Sequence, residues 1–550
     1  MGQSLSCVTP CITGNADAND RAAFAKRWSA WSGVWAGAIN NAVVLGMFMA
    51  MVFYINDLMI ALNRSADDIT IMIGTMLTLF HVAGPVLKIV YSIPITIVGK
   101  TPKDVSCTDC MYICKPKWLG GYAENLFHPG ANLVFGGLGA LFMGMTLYKP
   151  EDYAYFFGFG ATGAFCWGVV YWNVFGGVFT IRHNLNSKMS STFALILQFF
   201  VLTVWLSIRP SLLEVVESNF LEVGKLWKTQ LPYDLFILCV IWFVSNFIMT
   251  ASTISDNAIK RGDDNAPATS STAKDSMSND VYHRNTLWYN GFMFISVVCF
   301  QISVYIFFIW KRPISLDPFT YTTNETLHEG TFTGANLDHL NFWQGWGAMI
   351  GVAIVGATLL MYTKWMSTDD EYGRLNMANN LLLWFALIGV TILPAVWSTG
   401  FMKSYMQYSL SAAFYGGFFA TADMLYCFVI CEFQGRSKQA TIQKQNMRDF
   451  NAIVILATAK ALGLGLGVII TEFGLNLMDL RVAMIVSSVL GGAAILFLMI
   501  SWMWRYHYGM DLAVDVGPFF ARVAPGYAQR VEAMRKDRTG NRYSAVEQKA

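Results

Sequence analysis

Charged residues are scarce in this chain. Asp, Glu, Lys and Arg make up 13% of its 550 residues, whereas a soluble globular protein of average composition has about a quarter. Hydrophobic residues reach 55%, and 18 of the residues are tryptophans. This composition excludes an ordinary soluble domain and indicates a protein that lies in lipid.

Nucleotide-binding and hydrolase signatures are also missing. The chain contains no Walker loop, no H-E-x-x-H zinc motif and no G-x-S-x-G nucleophile turn. Direct coupling to ATP and the common membrane hydrolases therefore have no support in the sequence, and we expect no cofactor and no enzymatic activity. The main alternative from another class is a membrane-embedded acyltransferase, in which an intramembrane histidine such as His81 would be the base.

Long apolar stretches are abundant. Twelve of them run from about Gly33 to about Trp504, and each is close to or above the roughly 20 residues that cross a hydrocarbon core of about 30 Å. The sequence therefore predicts an all-α polytopic membrane protein of about 12 transmembrane helices.

A polar segment around Asp263 and Asp264, without apolar periodicity, divides the stretches six and six and is typical of a flexible linker. The predicted organisation is a cytoplasmic N-terminal tail at 1–32, a six-helix bundle at 33–252, a cytoplasmic linker at 253–285, a second six-helix bundle at 286–504 and a basic cytoplasmic tail at 505–550.

The orientation follows from the basic residues. Most of the 38 Lys and Arg fall in the tails and in alternate loops, which places both termini in the cytoplasm because excess positive charge marks that side. Gly2 and Ser6 fit the N-myristoylation pattern, and Cys7 is available for palmitoylation. Asn324 begins an N-x-T glycosylation acceptor in a loop predicted to be external. Both patterns are short enough to arise by chance, but together they favour a multi-pass protein in the plasma membrane of a eukaryote.

Three cysteines are spaced C-x2-C-x3-C in the loop after the second span, at Cys107, Cys110 and Cys114. A zinc site would need a fourth ligand, for which His128 is the nearest candidate. The predicted topology makes this loop cytosolic and reducing, which favours palmitoylation or free thiols. We expect no metal site.

The layout of the chain resembles the major facilitator superfamily of transporters, with twelve spans, both ends inside and a central cytoplasmic linker. Between the eighth and ninth spans, Asp370, Gly373 and Arg374 are similar to the D-x-x-G-R core of that family's cytoplasmic signature. The resemblance implies that charge contacts of this loop hold the helix ends together in one state of the transport cycle. The loop after the second span, where the family carries its primary signature, lacks the pattern.

Charged side chains at membrane depth are costly, at roughly 2.5 to 3.5 kcal/mol each on insertion scales, so they mark candidate functional sites. Asp423 in the tenth span and Lys460 in the eleventh lie at similar distances from the same membrane face, which makes an ion pair possible. Lys88 and His81 lie in the second span, which the family resemblance places against the eleventh. Together these groups would suit an anionic or a proton-coupled solute, with Asp423 or His81 as the titrating group.

Structural roles are also open for these residues. Asp423 and Lys460 can simply lock two helices together, and Lys88 can extend to the cytoplasmic surface. Among the uncharged polar residues, Asn41 and Gln301 are the best candidates for a central cavity, because the resemblance implies that the first and seventh spans line the pore.

The sequence thus predicts secondary-active transport of a small polar or anionic solute by alternating access, with proton coupling as an option. A scaffold or receptor that has lost transport is a further alternative. The expected partners are a small-molecule solute and membrane lipids, without nucleic acid, and the sequence does not indicate an oligomeric state.

Overall fold

The computed structural model describes most of the predicted membrane region. The described residues are 18–50, 62–97, 129–146, 152–181, 185, 188–220, 239–252, 279–316, 335–365, 371–402, 405–433, 442–475 and 480–507. All regular secondary structure within these ranges is helical. The prediction of an all-α protein is therefore confirmed.

Twelve helices make up the described part of the chain. They are α1 (Ala18–Ala50), α2 (Ala66–Ile97), α3 (Pro129–Thr146), α4 (Tyr153–Ile181), α5 (Lys188–Phe220), α6 (Cys239–Ser252), α7 (Asn279–Leu316), α8 (Ala335–Trp365), α9 (Glu371–Ser398), α10 (Tyr405–Phe433), α11 (Ile442–Ile469) and α12 (Leu480–His507). A π-helical turn, Ile470–Leu475, continues α11. Ten of the helices are long and apolar enough to cross a membrane, and α3 and α6 are shorter apolar helices.

Local sequence signals fix several helix ends. Ser65 caps α2, because its hydroxyl accepts a hydrogen bond of 3.2 Å from the backbone N–H of Asp68. Asp152 caps α4 in the same way, through a 3.1 Å bond from the N–H of Tyr155. After α9, Gly400 adopts a φ of 66°, a conformation that glycine tolerates best and that commonly follows a helix end.

Two helices begin earlier than the hydropathy pattern predicts. α1 begins at Ala18, within the segment assigned to the N-terminal tail at 1–32, and α7 begins at Asn279, within the linker assigned at 253–285. Hydropathy detects only the apolar part of a helix. The first turns of α1 and α7 are rich in polar residues, so the pattern assigned them to the flanking segments.

The packing of the first six helices, termed the N half, is repeated in the last six, termed the C half. α1 packs against α5 as α7 packs against α11, and α2 packs against α4 as α8 packs against α10. The pairing of α3 with α4 likewise corresponds to that of α9 with α10. An offset of six helices therefore relates the two halves, as expected of an internal structural repeat.

Glycines allow two of these repeated pairs to come very close. A Cβ atom at Gly168 of α4 would collide with the carbonyl oxygen of Phe80 in α2, and one at Gly416 of α10 would collide with the carbonyl oxygen of Gln344 in α8. Small residues of this kind let helix backbones approach in a membrane, where packing rather than the hydrophobic effect drives association.

Candidate functional site

A cavity of about 140 Å³ lies between the N half and the C half. Its lining comes from α1, α2 and α5 of the N half and from α7, α8, α10 and α11 of the C half. Among the described residues, α3, α4, α6, α9 and α12 contribute none. Most of the lining side chains are apolar or aromatic. The polar ones are His81, Thr203, Gln301, Tyr305, Asn341, Gln344, Asp423 and Lys460.

An ion pair between α10 and α11 forms part of this lining. The Nζ atom of Lys460 lies 2.7 Å from both carboxylate oxygens of Asp423. The amide of Gln301, on α7, donates a weaker hydrogen bond of 3.3 Å to Oδ1 of the same carboxylate. The side chain of Lys460 is 6% exposed and that of Asp423 is 17% exposed, so the carboxylate is the more accessible partner. The ion pair that their equal depth makes possible is present in the structure.

The glycine-rich sequence of α11 brings Lys460 to this position. A Cβ atom at Gly463 would lie 2.6 Å from the Cβ of Gln301 and 2.9 Å from the carbonyl oxygen of Val298. These distances are shorter than side chains tolerate, so α11 can approach α7 this closely only with glycine at position 463. Lys460 lies one turn before Gly463. It reaches the carboxylate of Asp423, to which the amide of Gln301 also donates.

His81 extends the site into the N half. It is 5% exposed and lines the cavity from α2. Its ring packs against Phe80, Tyr171 and Trp172, with centroid distances of 5.3, 6.4 and 5.7 Å. Its Nδ1 atom has no hydrogen-bond partner. The cavity lining therefore includes His81 of the N half and Gln301, Asp423 and Lys460 of the C half.

The structure places Asn41 elsewhere. Its amide nitrogen donates a 3.2 Å hydrogen bond to the side-chain oxygen of Gln198, and the amide of Gln198 donates to the carbonyl of Val34 at 3.2 Å. Asn41 is not among the residues that line the cavity. Its observed contacts join α1 to α5.

Several other predicted residues lie partly or wholly outside the described residues. Lys88 is on α2, and Gly373 and Arg374 are on the first turn of α9, but their side chains are not described. The residues wholly outside are Gly2, Cys7, Cys107, Cys110, Cys114, His128, Asn324 and Asp370. In the described part of the chain, no group of three His, Cys, Asp or Glu residues could hold a metal ion.

Four polar lining residues were missed by the sequence analysis: Thr203, Tyr305, Asn341 and Gln344. The hydroxyl of Tyr305 donates a 3.3 Å bond to the carbonyl of Thr70 and so links α7 to α2 across the two halves. Uncharged polar residues occur in many spans, mostly as helix-to-helix hydrogen bonds. The positions of these four residues in the sequence gave no signal that they would line the cavity.

No protein-family model and no curated protein matches this chain. Three solved structures are similar to it, each over 86% of its length. A mutant of the nucleoside transporter NupG shares 9% identity at a TM-score of 0.48, over 99% of its own chain. The human organic anion transporter MFSD10 shares 10% identity at a TM-score of 0.48, over 99% of its chain. FucP in its outward conformation, which is described as a Major Facilitator Superfamily transporter, shares 11% identity at a TM-score of 0.45, over 98% of its chain.

Proposed function

We propose that this chain is a secondary-active transporter that carries a small polar solute across a membrane by alternating access. The main support for this proposal is the cavity between the two halves. Its lining includes both His81 of the N half and the Asp423–Lys460 pair of the C half. Solute sites in transporters built from internal repeats typically lie between those repeats. A cavity in this place can open to either side as the halves rock.

The ion pair gives the proposed cycle a group that can respond to the solute. Buried charges in membrane helices mark solute and ion pathways because they are costly to maintain there. Asp423 accepts from both Lys460 and Gln301, so protonation of its carboxylate would weaken two contacts together. Proton coupling through Asp423 or His81, and anionic solutes attracted to Lys460, are finer forms of the same proposal.

The sequence supports further proposals about location. The distribution of basic residues favours cytoplasmic termini, the pattern at Gly2 and Cys7 favours acylation, and the acceptor at Asn324 favours glycosylation on the other face. These features suit a eukaryotic plasma-membrane protein. The Asp370, Gly373 and Arg374 loop would then lie in the cytoplasm as a gating element.

The test is an untargeted profile of metabolites taken up by cells that express the wild type, Lys460→Ala or the control Arg481→Ala at equal surface level. Arg481 is an exposed cation at the start of α12, away from the cavity. We expect a solute that the wild type and the control accumulate and that Lys460→Ala does not. If wild-type cells match empty cells across a broad panel and several pH values, the transport proposal fails.

A further inference from the structure

Asn341 belongs to the wall of the cavity and has an unsatisfied carboxamide, whose nitrogen and oxygen are both buried in the empty protein. The residue lies on α8, is 1% exposed and lines the cavity. Neither its side-chain nitrogen nor its side-chain oxygen has a hydrogen-bond partner in the structure. A buried polar group without a partner costs about 1 to 3 kcal/mol, so this amide weakens the empty protein unless something binds to it.

Among the described residues, the charges in the lining cancel. Lys460 and Asp423 lie 2.7 Å apart and neutralise each other, and Gln301 adds a further hydrogen bond to the carboxylate. A solute with a net charge would have to break this pair or lie beside it without a partner of its own. The local electrostatics therefore favour a solute without net charge.

The remaining wall suits an apolar ring. Phe199 of the N half and Phe308 and Phe419 of the C half line the cavity. Aromatic side chains pack favourably against the faces and edges of other rings. A bound molecule can thus bury a flat apolar body against these side chains, and its edge can meet Asn341 when the buried amide turns toward the cavity on binding.

We propose that the solute is an uncharged molecule with a flat apolar body and an amide edge, and that this edge pairs with the carboxamide of Asn341. One N–H of the solute would donate to the Asn341 oxygen, and the solute's carbonyl would accept from the Asn341 nitrogen. This assignment rests on the proposed function and narrows its solute class from polar or anionic to neutral and amide-bearing.

Three probes of nearly equal shape test this assignment. Benzamide is neutral and offers both a donor and an acceptor, benzoate is an anion with acceptors only, and benzamidinium is a cation with donors only. Their binding to the purified full-length protein in detergent can be followed by the shift in thermal unfolding temperature. We expect a saturable rise in Tm with benzamide and at least about tenfold weaker binding of the two ions, as one lost bidentate contact implies.

Asn341→Leu distinguishes a ligand-binding amide from a structural one. Leucine removes the unpartnered amide at similar volume, so the variant should unfold at a higher temperature than the wild type while it binds benzamide at least about tenfold more weakly. The matched control is Asn41→Leu, which removes an amide that bonds to Gln198. That variant should unfold at a lower temperature and retain the affinity for benzamide. Asn341→Gln, which keeps the amide, provides a second variant if leucine prevents folding, and it should retain more of the benzamide response than leucine does.

The outcomes separate this inference from the transport proposal. Tighter binding of benzoate or benzamidinium, no response to any probe, or full benzamide binding by Asn341→Leu would each overturn the amide assignment. None of those results would affect uptake that depends on Lys460. Conversely, benzamide binding through Asn341 in a protein without uptake would support the site and reject transport.

Discussion

Lys460 and Asp423 stabilise the helix bundle only as a pair. Each charge is held at membrane depth by the other, and both line the cavity between the two halves. Removing one partner of a buried pair leaves an uncompensated charge and typically costs about 3 to 5 kcal/mol, whereas replacing both with apolar residues is often neutral.

We therefore expect Asp423→Asn to lower the unfolding temperature of the purified protein, since Lys460 then loses its counter-ion. The double variant Asp423→Leu with Lys460→Met should recover most of the loss. Tryptophan fluorescence during a thermal ramp measures both. If the double variant is stable but does not transport, the pair serves transport; if it is stable and still transports, the pair only joins the helices.

The sequence indicated that this pair was possible but gave no sign of Asn341, and the reason is physical. A charge at membrane depth is tolerated in very few places, so equal depth in consecutive helices was enough to indicate a possible contact between Asp423 and Lys460. An asparagine is tolerated in many places. The side chain of Asn41 forms a hydrogen bond with Gln198, whereas the side chain of Asn341 has no hydrogen-bond partner. Hydropathy does not distinguish a paired asparagine from an unpaired one.

At the scale of the helix, the sequence does not determine how a helix is rotated about its own axis. On α8, Ile350 and Ile354 are exposed on the surface of the bundle, whereas Ala348 and Val352 are buried. Apolar residues therefore occupy both the lipid face and the protein face. The pattern predicts that α8 spans the membrane but not which of its side chains line the cavity.

Glycines fix part of that rotation in α8. A Cβ atom at Gly347 would collide with the carbonyl oxygen of Ala413, and one at Gly351 would lie 2.7 Å from the Cα of Gly417. Both glycines thus face α10. This contact turns Gln344 and Ala348, which line the cavity, toward the C half's central surface.

Gly347→Ala should consequently destabilise the protein, because the added methyl group meets backbone rather than a movable side chain. Gly137→Ala is the control, since nothing lies within 4 Å of a Cβ atom at that position in α3. Alanine is favoured over glycine inside a helix by about 1 kcal/mol, so the control should be neutral or more stable. Equal unfolding temperatures for the two variants would show that α8 and α10 are less closely packed than described.

At the scale of the whole molecule, the two halves meet along two equivalent helix pairs. α2 packs against α11, and α5 packs against α8. The family resemblance implied the first of these contacts, and the structure contains it. The hydroxyl of Ser207 on α5 donates a 2.8 Å bond to the carbonyl of Gly345 on α8, so hydrogen bonds as well as packing hold the halves together. Alternating access requires these contacts to rearrange, whereas contacts within one half can stay fixed.

If the chain works by the proposed alternating access, a disulfide across the halves should stop uptake, and one within a half should not. A Cβ atom at Gly465 of α11 would lie 3.4 Å from Cγ2 of Thr78 on α2, which is within reach of disulfide geometry. We expect Thr78→Cys with Gly465→Cys to lose uptake under oxidant and regain it with reductant. The control pair joins α9 to α12 within the C half: a Cβ atom at Gly491 would lie 3.4 Å from the Cβ of Thr391, so Thr391→Cys with Gly491→Cys should keep its uptake when oxidised. The four single-cysteine variants correct for effects on native cysteines. Continued uptake by the fully cross-linked Thr78 and Gly465 pair would mean that the halves do not separate along α2 and α11 during the cycle.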